Sequence, residues 1–107
     1  MLYHSTNYSN LSSILSEGIK KHLEGVYFTD SKESALIFSV LSHKEDVLVI
    51  EIDEKDLDEN FMSISWDSAN ERLANLFKVD NFETYVYTKN IEPEIIQNMY
   101  HYNLSKK

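Results

Sequence analysis

The chain predicts an α+β fold, and three patterns in its sequence carry that prediction. Apolar residues recur at helical spacing through Leu11, Ile14, Leu15 and Ile19, and again from Ala35 to Leu41. Val47 to Ile52 is an almost unbroken β-branched and aliphatic run, and Phe82 to Tyr87 alternates residue by residue. Elements of the two periods follow one another as strand, helix, strand, helix and then mostly strands, an order that favours α+β over a parallel βαβ array. At 107 residues the chain is one domain, 1–107, large enough to bury a modest core.

Each element has its own signal. Leu2-Tyr3-His4 opens a short strand. Asn7 or Ser9 caps the first helix, and Gly18 stands where a left-handed glycine ends one. Gly25 leads into the strand Val26-Tyr27-Phe28-Thr29. Asp30, with Glu33 three residues on, has the spacing of a capping box for a largely buried helix over 31–43. Val47 to Asp53 reads as a central strand buried on both faces, and Phe61 to Ile64 as a further strand. Residues 66–80 read as a helix or partly helical crossover anchored by Leu73, Leu76 and Phe77. Pro93 suits the first position of a short C-terminal helix over 94–102, with the last residues frayed.

Composition excludes several function classes. Acidic residues outnumber basic ones 18 to 10, the net charge is −8, and Arg72 is the one arginine. Duplex binding draws its affinity from cations set against phosphates, so nucleic acid is the less favoured partner and a basic protein surface the more favoured one. The absence of cysteine removes disulfides and thiolate sites. His4, His22, His43 and His101 lack metal-ligand spacing, so no metal is expected. No phosphate-cradling glycine loop or nucleophile elbow is present. The N-terminus lacks the pattern of a signal peptide and no apolar run reaches a membrane-spanning length, so a cytoplasmic protein without membrane contact is expected.

Three segments carry the candidate chemistry: Leu2-Tyr3-His4-Ser5-Thr6, Gly25-Val26-Tyr27-Phe28-Thr29-Asp30-Ser31 and Glu83-Thr84-Tyr85-Val86-Tyr87. Together with Asn10-Leu11, Ile14-Leu15, Gly18-Ile19 and Ile91-x-Pro93-Glu94-x-Ile96, their order resembles the ADP-ribosyltransferase superfamily from Leu2 to about Ile96. The likeness is nearest to small bacterial and phage members, RNA 2′-phosphotransferases and DNA-modifying toxins. It implies two small antiparallel sheets, flanked by short helices, with NAD as substrate in the cleft between them. It further implies a His-Tyr-Glu triad on His4, Tyr27 and Glu83. His4 would bond the adenosine ribose, the backbone at Ser5 would hold the nicotinamide amide, and Tyr27 would stack on the nicotinamide. Glu83 would be the catalytic carboxylate. The residue types suit the chemistry: a fixed anion stabilises an oxocarbenium-like centre, and an aromatic face suits a pyridinium ring.

The implied activity is NAD-dependent ADP-ribosyl transfer to a macromolecular acceptor, with protein favoured by the acidic surface. The alternative is a non-catalytic module on the same fold, such as a small acidic inhibitor that masks a basic surface of a partner protein. Phosphate binding would fall to Arg72 or to Lys20, Lys21 and Lys32, which weighs against a 2′-phosphotransferase. Glu83, Tyr85 and Tyr87 share one strand face, which either lines the cleft or packs across strands. Ser63, Ser65, Trp66 and Asp67 occupy a strand end and loop near the cleft, with Trp66 as a structural anchor. Tyr100, His101 and Tyr102 form an aromatic tail packed across the domain.

Overall fold

A computed structural model of the chain describes residues 1–21, 25–41, 45–65 and 84–104. It contains β1 (Leu2–Asn7), α1 (Leu11–Glu17), β2 (Val26–Thr29), α2 (Lys32–Leu41), β3 (Asp46–Ile52), β4 (Met62–Ser65), β5 (Thr84–Tyr87) and β6 (Ile96–Asn103). The fold is α+β. Short 3₁₀ turns at Tyr8–Asn10, Glu54–Asp56, Glu59–Phe61 and Pro93–Ile95 make the corners. The expected helical crossover at 66–80 lies outside the described residues.

The strands form one six-stranded antiparallel sheet in the order β4-β5-β2-β1-β3-β6. Two sheets were expected, and the difference lies at the β1–β2 junction. β1 pairs with β3 along its whole length, from Leu2↔Ile52 to Asn7↔Val47, and β2 pairs with β5 from Val26↔Tyr87 to Thr29↔Thr84. Between β1 and β2 there is a single register pair, Tyr3↔Thr29. The sheet is therefore continuous but consists of two three-stranded halves that part beyond that pair.

β3 lies between β1 and β6, and its residues Val47 to Ile52 are all buried, as a strand covered on both faces requires. On one face Leu48, Ile50 and Ile52 join Leu2, Val26 and Phe28 beneath α1. On the other, Val47 and Val49 pack with Ala35 of α2 and with Tyr3, Tyr100 and Tyr102. In α2 the residues at or below 1% exposure are Ser34, Ala35 and Ser39, whereas Val40 is exposed, so small side chains set the helix against its neighbours. Ser39 satisfies its buried hydroxyl by donating to the Ala35 carbonyl at 3.1 Å.

The helix caps stand near, but not at, the positions their sequence signals mark. The cap of α2 is Ser31, whose Oγ accepts from the Ser34 N–H at 3.1 Å, in place of the expected Asp30. Asn7 precedes a 3₁₀ turn, and α1 starts three residues later, after Asn10. Gly18 closes α1 with φ +76° and ψ −158°, a glycine-only conformation that is extended in ψ instead of αL. A Cβ at that position would collide with the Ile91 carbonyl oxygen, because Ile19 and Ile91 exchange backbone bonds there. The C-terminal helix is corrected to a strand. Pro93 starts only a 3₁₀ turn, and Ile96 to Asn103 then pairs along β3. The outer edge of a buried strand needs a hydrogen-bonding partner, and the Ile- and Tyr-containing tail suits a pleated surface better than a helix.

Candidate functional site

A cavity of about 380 Å³ opens where β1 and β2 part. β1 contributes Tyr3, His4 and Ser5, β2 contributes Tyr27 and Thr29, and Thr84 stands at the start of β5. Phe38 of α2 also lines it. Three residues singled out in the sequence, His4, Ser5 and Tyr27, thus meet at one site. Glu83 lies outside the described residues; it immediately precedes Thr84, which lines the cavity.

The seam explains the setting of His4. Its Nδ1 lies 2.7 Å from the Tyr27 carbonyl oxygen, which can only accept, so Nδ1 carries the hydrogen. The side chain bridges the two strands where their backbone ladder has opened. The His4 ring also lies 5.8 Å from that of Phe28, tilted by 59°. This assigns Nε2 the acceptor role in the neutral ring. Tyr27 is 43% exposed, so its ring stands at the mouth of the cavity instead of in the core.

His4 also borders a second cavity, of about 200 Å³, on the α1 side, with Thr6, Asn10, Ser13, Glu17 and Lys20. Asn10 Nδ2 donates to Thr6 Oγ1 at 2.8 Å, tying the start of α1 to β1. Of the lysines proposed for phosphates, Lys20 lines this cavity. Lys32 is engaged elsewhere, with Nζ 4.2 Å from the centre of the Tyr100 ring. Arg72, Trp66 and Asp67 lie outside the described residues, as do His22 and His43. His101 is remote in role: it stacks on Tyr8 at 3.8 Å and bonds Asp46 at 2.9 Å.

The strand face shared by Tyr85 and Tyr87 belongs to the core. Tyr87 is buried with Leu2 and Leu57, and its hydroxyl accepts from the Asp58 N–H at 3.1 Å. Ser63 lies on the edge strand β4 opposite Val86, and Ser65 opposite Thr84.

Behind the cavity wall is a carboxylate that sequence reasoning passed over. Glu51 is 8% exposed, on the α2 face of β3. Asn98 Nδ2 donates to its Oε1 at 2.7 Å, the Tyr100 hydroxyl stands at 3.5 Å, and Tyr3 stands directly opposite it on β1. The Asn98 bond foremost, with help from the tyrosine hydroxyls and Lys32, holds its pKa below the ordinary value against the opposing cost of burial. The Tyr3 hydroxyl is pushed up to about 12, chiefly by burial and then by its bond to the Glu51 anion. A signal was present: a glutamate inside the apolar run of a two-sided strand must have partners to be tolerated.

No family model matches the chain, and no curated protein matches it significantly.

Proposed function

We propose that the cavity binds the nicotinamide half of NAD and that the chain is an ADP-ribosyltransferase-like enzyme transferring ADP-ribose to a macromolecular acceptor, protein in preference to nucleic acid. One observation carries the reading. His4 with Ser5, Tyr27, and the start of β5, three places far apart in sequence, line one cavity at the seam between two half-sheets. The parting of β1 and β2 leaves a cleft within the single sheet, and a cleft beside these residues supports the reading. The second cavity, sharing His4, is assigned under this reading to the adenosine half, on the α1 side.

The chemistry of the walls fits. Aromatic rings and hydroxyls surround the larger cavity, and a flat pyridinium amide needs an aromatic face with a few polar contacts. In the reaction the bond from ribose C1′ to the nicotinamide nitrogen breaks, and nicotinamide leaves with the bonding electrons. The acceptor nucleophile bonds C1′ and gives up its proton. Glu83 is assigned to stabilise the positive charge on the ribose, and Tyr27 to hold the leaving ring.

A second reading is a binding module without turnover. It is favoured because, among the described residues, no lysine or arginine lines the larger cavity and Lys32 rests on the face of Tyr100. Nicotinamide release and acceptor labelling in the parent and in Glu83→Gln separate the two. The enzyme reading expects a loss of about 100-fold or more in the variant, the scale of removing one electrostatic stabiliser. Equal turnover in both proteins removes Glu83 from the role. Binding without turnover in either supports the module, and no thermal shift with millimolar NAD ends the NAD site.

A further inference from the structure

We infer that Glu51 makes the larger cavity selective for a positively charged aromatic ring, acting through the ring of Tyr3. The inference rests on the NAD reading only for the identity of the natural ligand, not for the charge preference itself. Glu51 touches no ligand in this scheme; it is a positioning and polarising residue.

Three observations converge. First, Tyr3, Tyr27 and Phe38 give the cavity aromatic walls, and among the described residues no lysine or arginine lines it. Second, Glu51 is the one buried acidic residue among those described. Its nearest partners are the neutral donors Asn98, Tyr100 and Tyr3, so hydrogen bonds stabilise the anion without cancelling its charge. Lys32 opposes it, but that ammonium rests on the face of Tyr100, and it is only one of several contributions to the state of Glu51. Third, Tyr3 connects the two: it stands directly opposite Glu51 in the β1–β3 register, its hydroxyl helps to hold the carboxylate as an anion, and the residue lines the cavity.

A phenol that donates to an anion gains electron density in its ring, which strengthens the negative face that attracts cations. Burial keeps the field of the carboxylate from being screened by solvent and salt. Both effects favour a pyridinium cation over a neutral ring of the same shape. Under the NAD reading they favour the oxidised nucleotide while its ring is charged and weaken the hold on the neutral nicotinamide released.

Calorimetric titration with 1-methylnicotinamide, a cation, and with nicotinamide, its neutral counterpart, tests this in the parent, Glu51→Gln and Tyr3→Phe. NAD is titrated in parallel, and a melting curve establishes that each variant is folded. The parent is expected to prefer the cation by about tenfold, within the range of a desolvated cation–π contact. Each folded variant should lose at least about threefold of that preference, a change in ratio that a loss of packing alone does not produce. Should Glu51→Gln fail to fold, Tyr3→Phe carries the test, since it keeps the ring and removes only the bond to the carboxylate. Equal binding of the two probes by the parent, binding of neither, or an unchanged preference in the folded variants overturns the inference. A cation preference without NAD binding leaves the inference standing and ends the NAD reading. NAD binding without a charge preference does the reverse.

Discussion

At the scale of single residues, Glu51 and Tyr3 show how one cross-strand pair ties stability to pH at both ends. The folded-state pKa of Glu51 lies below its ordinary 4.5, so its contribution is complete above that value and is lost as pH falls through the folded pKa. Tyr3 has the opposite sign. Its pKa rises from 10.0 to about 12, so its contribution is complete below pH 10 and is lost as pH climbs from there towards 12. Melting temperatures measured across pH should therefore fall less steeply on the acid side in Glu51→Gln than in the parent. On the alkaline side Tyr3→Phe should show the shallower fall. Parallel acid limbs in parent and Glu51→Gln would mean that the carboxylate has the same proton affinity folded and unfolded. His4 illustrates a different use of a titratable ring: its Nδ1–H serves the Tyr27 carbonyl at 2.7 Å, so its first task is to close an open strand pair.

Among elements, the uneven pairing of β1 decides where the site is. On one side β1 is bonded to β3 through six registered residues; on the other it meets β2 at Tyr3↔Thr29 alone. Backbone amides of β2 that face β1 should consequently exchange with solvent faster than those joining β1 to β3. Protection factors from amide exchange measured by NMR give the comparison, and uniform protection across β1 would remove the seam as a distinct feature. β6 shows why an element can be mistaken from its own residues. Met99, Tyr100 and Tyr102 after a proline turn are compatible with one helical turn or with a strand, and the outer edge of β3 selects the strand.

The whole molecule compensates for the open seam through its core. Leu2, Ile50 and Ile52 from one half-sheet pack in a single buried cluster with Val26, Phe28 and Tyr87 from the other, and Ile14 of α1 joins them. Burial of shared apolar surface couples the halves even where hydrogen bonds do not. Far-UV and near-UV circular dichroism should accordingly report one coincident unfolding transition in urea, and separate midpoints would show that the halves unfold independently. Phe28 is fully buried at the junction, so Phe28→Ala should lower stability by about 3–5 kcal/mol as judged by the same curves. Among the described residues no helix is long and apolar enough to cross a membrane.

The sequence by itself determined the α+β class, the strand Val26–Thr29 and the doubly buried run of β3, because each is written in local period. His4, Ser5 and Tyr27 were legible as a candidate set from motif order, and nothing local could say that they meet. Only the tertiary structure decided that the two half-sheets join into one, that the tail becomes β6, and that Tyr85 and Tyr87 belong to the core. It alone placed Tyr3 and Thr84 in the cavity wall and Glu51 behind Tyr3. The physical reason is common to all of these. Strand pairing and the sharing of a buried charge are set by partners distant in sequence, so no window of neighbouring residues contains the information.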